Sequence, residues 1–242
     1  MTEEMRLLWE LRKEKYSTKE LLELHENPLN LYKEESIEGP IIDIGCGQST
    51  YVLEYYKKSK KVYAIDSDDF QLNSLKERAD DIKTAESGEI IYINGIFPAH
   101  KLPNEIFSIV VLSNFLHFFS LKNCHKIIDK ISSHTTAGSL ILTQVHSSDH
   151  YVNQRKQKSH FKHFFQKADL DELFIPRGFE RMYFAQIEHE NSQSHDAIVH
   201  EWIRRVHNRV YNSYNEDIIK KEAERYLEGN RQTHITSIYR KT

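Results

Sequence analysis

Residues 41–52 read IIDIGCGQSTYV, and this stretch decides the fold. An apolar run around Asp43 leads straight into Gly45-Cys46-Gly47, and a helix-like run follows. The chain has only eight glycines in 242 residues, yet two stand here. A tight strand-to-helix turn explains the placement, because a Cβ at either position would hinder the turn or the approach of a ligand to its backbone. The helix that follows offers unpaired N–H groups to whatever lies there.

Outward from this turn, short apolar runs alternate with amphipathic stretches. The runs are IIDI (41–44), KVYAID (61–66), EIIYIN (89–94), FSIVVLSN (107–114) and SLILTQVH (139–146). Continuous apolar strands separated by helical segments predict a parallel sheet covered on both faces. Before them, Leu7, Leu8 and Leu11 recur at helical spacing, and Ser17 to Glu20 form a capping box, so residues 1–38 read as a helical cap. Asn27-Pro28 should end its second helix. Beyond the fifth run come a short helix (168–174), a sixth run FERMYFAQIEH, a helical stripe at 196–210 and a charged helix at 215–228. The closing strand falls at 233–241 or at 197–204; the stripe of Ile198, Val199, Trp202, Ile203, Val206 and Val210 favours helix for the second. The expectation is one α/β domain with a Rossmann-like, seven-stranded, mostly parallel sheet. Its core comprises 39–190 and 231–242, with a helical insertion at 191–230.

Composition narrows the function. No apolar run approaches the roughly 18 residues of a membrane span, and residues 1–15 are charged throughout, which fits a cytoplasmic protein. Cys46 and Cys124 form neither a disulfide framework nor a zinc pattern. The fourteen histidines include pairs at helical spacing, His146/His150 and His160/His163, but no recognised metal motif. A net charge of −3 gives no bulk attraction for nucleic acid. One segment differs: residues 150–168 hold Arg155, Lys156, Lys158, Lys162 and Lys167 and no acid.

The ligand of the glycine turn follows from its neighbours. A dinucleotide fingerprint places a third glycine where this chain has Thr50, and Asp43 is a poor companion for a pyrophosphate. Asp66, at the end of the second run, is positioned to accept from both hydroxyls of a ribose. A ribose, a cationic end and no phosphate describe S-adenosylmethionine (SAM).

On these residues the chain resembles the class I SAM-dependent methyltransferases. IIDIGCGQS resembles their first motif and VYAIDSD their second. FSIVVLSNFLHFF is similar to the fourth-strand motif of the small-molecule branch, which includes ubiquinone-biosynthesis and tellurite-resistance-type enzymes. The resemblance runs from about Ile41 to His189. It implies that Gly45 and Gly47 pass under the methionine part of the cofactor and that Asp43 reaches its amino group through water or backbone. It further implies that Asp66 clamps the ribose beside Ser67, that Asn94, Gly95 and Ile96 flank the adenine, and that Ser113 and Asn114 line the methyl end. Ser113 and Asn114 serve equally as strand-end hydrogen-bonders. The family commonly has Gly at Ser49, here counted with the cofactor residues, and Gly-Asp at Asn94-Gly95.

For catalysis the candidates are His146 and His150 after the fifth strand, His117 in NFLHFF, and Tyr32 of the cap. Arg155, Lys156, Lys158 and Lys162, with Phe161, Phe164 and Phe165, are expected to receive an anionic acceptor or to form a solvated basic loop. The expected reaction converts SAM to S-adenosyl-L-homocysteine with a small-molecule acceptor. Two other readings stay open: RNA methylation, and a SAM-binding or partner-binding protein with little catalysis. In the last, the stripe of Trp202, Ile203 and Val206 serves as easily to pair subunits as to cover the core.

Overall fold

The computed structural model describes residues 2–32, 34, 37–149, 161–189, 193–227 and 232–242. Five parallel strands come first in the sheet: β1 (Ile41–Ile44), β2 (Lys61–Asp66), β3 (Glu89–Asn94), β4 (Ile109–Ser113) and β5 (Leu140–His146). Two more, β6 (Phe179–His189) and β7 (Gln232–Lys241), complete seven in the order β3-β2-β1-β4-β5-β7-β6. Strand β7 runs antiparallel to both β5 and β6 and lies between them. The order reverses between β1 and β4, which is where a ligand crevice opens in such sheets. The chain therefore has the Rossmann-like class I methyltransferase architecture.

Alternation along β1 splits the core in two. Ile42 and Ile44 face one layer, where α5 (Leu121–Ser132) presents Cys124, Ile127, Ile128 and Ile131, and α6 (Lys167–Phe174) presents Leu170, Leu173 and Phe174. Ile41 faces the other, against Val52, Leu53 and Tyr56 of α3 (Thr50–Lys57) and Leu72 and Leu75 of α4 (Asp69–Asp81). Each fully covered Ile contributes about 1.5–3 kcal/mol, so a one-residue slip of β1 is heavily penalised.

A third apolar cluster stands apart. It joins Leu7, Leu8 and Leu11 of α1 (Glu3–Lys15) to Ile198, Val199, Trp202, Ile203 and Val206 of α7 (Gln193–Arg209) and to Ile219 and Ala223 of α8 (Glu216–Leu227). The Trp202 stripe is thus covered within the chain by α1 and α8. Residues 197–204 are helix, and the closing strand is the 232–241 segment. Arg205 grips Glu14 through two hydrogen bonds of 2.8 and 2.7 Å. Glu14 is half exposed, so this pair adds at most about 1 kcal/mol and the apolar face dominates the packing.

Residues 1–38 are less helical than their periodicity suggested. The capping box of Ser17 and Glu20 does open α2 (Thr18–Glu23), but that helix stops at Glu23, before Asn27-Pro28. A 3-10 turn at Pro28–Tyr32 follows. There Asn27 turns its side-chain carbonyl back to the N–H of Leu29 at 3.0 Å, an alternative to helical bonding typical of Asn. Among the described residues no helix is long and apolar enough to cross a membrane.

Trp202 tests the third cluster. Its ring is buried and its indole N–H donates to the carbonyl of Glu4 at 2.5 Å. Trp202→Ala should cost about 3–5 kcal/mol, read as a lowered urea midpoint. A loss within about 0.5 kcal/mol, as for an ordinary surface site, would show that α1 does not depend on α7.

Candidate active site

The glycine turn is clamped to the neighbouring strand by three consecutive N–H groups. Gly45 and Cys46 both donate to the carbonyl of Ile65, at 2.8 and 3.0 Å. Gly47 donates to Asp66 Oδ2 at 2.8 Å, and Asp66 Oδ1 accepts from the N–H of Asp68 at 3.0 Å. The Asp66 carboxylate is therefore held at both oxygens by backbone, and each oxygen keeps lone-pair capacity for a further donor. Burial raises the Asp66 pKa, opposed by the hydrogen bonds from Gly47 and Asp68.

Asp43 lies beneath the turn, 1 % exposed. Ser49 donates its hydroxyl to Asp43 Oδ2 at 2.6 Å and, with the same oxygen, accepts from the N–H of Val52 to cap α3. The other oxygen, Asp43 Oδ1, is buried with no hydrogen-bond partner. Burial pushes the Asp43 pKa up to about 7, the Ser49 bond opposes this, and Asp66 adds to it. Cys46 is buried beside both acids, and the same burial, then Asp43 and Asp66, keeps it a thiol.

The end of β4 closes over the turn. Gly45 has φ +70°, and a Cβ built on it would lie 2.3 Å from Cδ2 of Phe115, so the ring rests directly on the glycine. Asn114 occupies the left-handed region at φ +53°, and its N–H donates to the carbonyl of Gln144 at 2.8 Å. Ser113 donates its hydroxyl to Gln144 Oε1 at 2.7 Å. Both residues are thus tied to Gln144 of β5. On the far side of Asp66, Ser67 is exposed and Ile96 is 70 % exposed, an open apolar surface at the end of β3. Asn94 is committed to Asp69 through its amide. Gly95 donates its N–H to the Asp66 carbonyl at 2.9 Å, and the ring of His100 packs where its Cβ would stand, 2.5 Å away. That contact is a physical reason for glycine there, where a carboxylate is usual.

At the end of β5 three imidazoles lie ring against ring, each pair tilted by 38°. His117 and His146 have ring centroids 4.1 Å apart, and His146 and His234 of β7 are 4.6 Å apart. Phe161 packs on His146 at 4.5 Å and on His117 at 4.8 Å. The later part of the basic segment is pinned here, since Lys162 donates its N–H to the His117 carbonyl at 2.8 Å and Phe165 to that of His146 at 2.9 Å. Two of the three candidate histidines are therefore brought together. His150, Arg155, Lys156 and Lys158 lie outside the described residues, and Lys162 is exposed. Tyr32 donates its hydroxyl to the Met182 carbonyl of β6 at 2.9 Å, which gives that group a bond to the scaffold in place of the base role considered for it.

Sequence reasoning passed over Phe115, Gln144 and His234. His234 is directly opposite His146 in the β5–β7 ladder, a pairing that becomes visible only once β7 is known to insert between β5 and β6.

Do the residues fit SAM? The buried Asp43 oxygen lacks a donor, two acids adjoin, and the Asp66 carboxylate is preset by backbone, so a ligand with a cationic end and a diol matches what the site leaves unsatisfied. The comparisons with known proteins agree. Residues 41–138 match the family model described as a methyltransferase domain. No curated protein matches the sequence. Among solved structures, a SAM-dependent methyltransferase from Methanosarcina mazei is similar with 17 % identity, 90 % of this chain and 99 % of that chain covered, and a TM-score of 0.62. One from Geobacter sulfurreducens, in complex with S-adenosyl-L-homocysteine, is 11 % identical, with 96 % of each chain covered and a TM-score of 0.63. TehB from Haemophilus influenzae is 18 % identical, with 95 % of this chain and 65 % of that chain covered and a TM-score of 0.61. At these identities the structures speak for the fold, while the matched domain spans both glycines, both acids and the end of β4. With its turn, its acids and its strand order, the chain has the fold of the class I SAM-dependent methyltransferases, and residues 41–138 match a methyltransferase domain.

Proposed function

We propose that this methyltransferase acts on a small-molecule acceptor presented at the ends of β4 and β5. The observation that carries this reading is the cluster of His117, His146 and His234 with Phe161, their rings in tilted contact on that edge. Such an aromatic wall with imidazoles suits a compact acceptor that must lose a proton. When bound, SAM supplies a methyl group already activated by its sulfonium, so the protein's task is to position, to exclude water and to manage one proton. Asp66 would accept from the ribose hydroxyls, and Asp43 with Ser49 would favour the cationic end. Gly95 and Ile96 would flank the adenine, with Ser67 beside it. Ser113 and Asn114 would fix the backbone at the methyl end, while Phe115 keeps that end dry. His146 would hold the proton released by the acceptor, its ring oriented by the imidazoles packed on both sides.

Helices α1, α2 and α7 would together shield the side of the site next to α3. The RNA reading would require the 155–162 run to contact phosphates; binding that weakens steeply with salt would support it.

Asp66→Ala should abolish SAM and S-adenosyl-L-homocysteine binding in calorimetry while the melting temperature stays within a few degrees. Unchanged affinity would remove the ribose role. His146→Asn should keep SAM affinity and lower kcat on a responsive acceptor by about 10²-fold or more; an unchanged kcat would overturn the base assignment.

The pH dependence has a definite sign. Asp43 has a raised folded value near 7, so in ligand-free protein its contribution falls as pH rises from about 4 to about 7 and is constant above. A cationic ligand favours the ionised acid. SAM affinity should therefore decline as pH drops below about 7, by up to about tenfold per unit, and Asp43→Asn should flatten that slope. A slope that survives the substitution would move the titration to another group, Asp66 first.

A further inference from the structure

A cavity of about 380 Å³ lies beside the glycine turn, between α1, α2, α4 and α7. Gln48 and Thr50, the neighbours of Ser49, form one wall, and Trp9, Leu21 and Ile198 supply apolar surface. Two arginines from different helices, Arg12 and Arg78, line it together. Neither guanidinium has a carboxylate within 4.0 Å among the described residues. Arg12 lies against the ring of Trp9, its carbon 5.1 Å from the centroid. Arg78 is 3 % exposed. Of its five N–H donors it uses two, from Nε to Gln48 Oε1 at 3.3 Å and from Nη1 to the Tyr16 carbonyl at 3.2 Å. The side-chain nitrogen of Gln48 is itself buried with no partner.

This arrangement is costly without an occupant. A buried cation normally stands against a carboxylate, because its lost hydration must be offset. The acid whose charge acts on Arg78 is Asp81, whose Oδ2 accepts from Thr18 at 3.0 Å. Arg12 is also held below its ordinary pKa by burial. Two like charges, a donor amide and an aromatic wall in one hollow match a planar or tetrahedral anion carried on a small apolar body.

We propose that Arg12 and Arg78 form an anion site that seats the carboxylate or phosphate group of a small organic ligand next to the glycine turn. The same chemistry has two sources: an anionic acceptor, or the methionine carboxylate of the cofactor, the latter resting on the cofactor reading above. The position next to Gln48 and Thr50 allows either, since both flank the residue that holds Asp43.

The test uses the full chain, with inorganic phosphate, benzoate and SAM as calorimetric probes at fixed ionic strength. Arg12→Gln and Arg78→Gln are compared with the unaltered protein. Phosphate or benzoate binding weakened about tenfold or more by either substitution, with SAM affinity within about threefold, assigns the site to a separate anion. SAM binding weakened about tenfold or more, with benzoate displaced by SAM, assigns it to the cofactor's carboxylate. Should Arg78→Gln fail to fold by circular dichroism, Arg12→Gln, on the less buried residue, carries the comparison. If no probe binds differently to Arg12→Gln, the proposal is overturned. Loss of benzoate binding in Arg12→Gln together with no SAM binding by the unaltered protein would leave the anion site standing and remove the cofactor reading.

Discussion

The backbone of the glycine turn hangs from the end of β2: the N–H groups of Gly45, Cys46 and Gly47 all find acceptors on Ile65 and Asp66. The turn thereby takes a fixed height above the sheet, and α3 leaves it in a fixed direction. A single carboxylate, Asp66, both completes this clamp and stands where a ribose would be gripped. Its pose is set before any ligand arrives, so little ordering remains to be done on binding. Ser49 performs a comparable double task, capping α3 with the oxygen whose hydrogen it gives to Asp43.

Around the clamp the electrostatics are asymmetric. Asp43 and Asp66 make the floor of the turn acidic, while Arg12 and Arg78 make the side wall beneath the cap basic. A ligand that is cationic at one end and anionic at the other, or a cationic ligand beside an anionic one, satisfies both at once. Either case orients what binds, because reversing it would set like charges together.

Much of this was legible beforehand. The apolar runs gave all five parallel strands within two residues, because strands buried on both faces carry no competing pattern. Gly45, Gly47, Asp43 and Asp66 were readable since their types are dictated by backbone approach and charge. What escaped was whatever depends on distant segments meeting. His234 faces His146 only because β7 enters beside β5. Arg78 had left a trace: it falls on the same helical stripe as Leu72, Leu75 and Ala79, and a charge on a buried stripe asks for an explanation. Arg12 is likewise one turn from Leu8 on α1. Periodicity overstates the helical extent of residues 24–32, as Asn27 closes a local turn that it does not register.

The place of β7 has a consequence for how the sheet assembles. Strands β1 to β3 pair each with its successor, and β4 then returns past β2 to pair with β1 before β5 joins it, so the parallel half needs a single long return. The other half must wait, because β6 has no ladder to join until β7 arrives, and β7 comes after α7 and α8 in the chain. Every bond from β6 to the sheet therefore passes through a strand that must first travel back to His146. Such non-local closure is slow relative to helix formation, and it leaves the edges of β5 and β6 open in the interval, when they can pair with the wrong chain. The parallel half of the sheet can assemble first, whereas the His146 end of β5, which faces His234, is completed only in the last step.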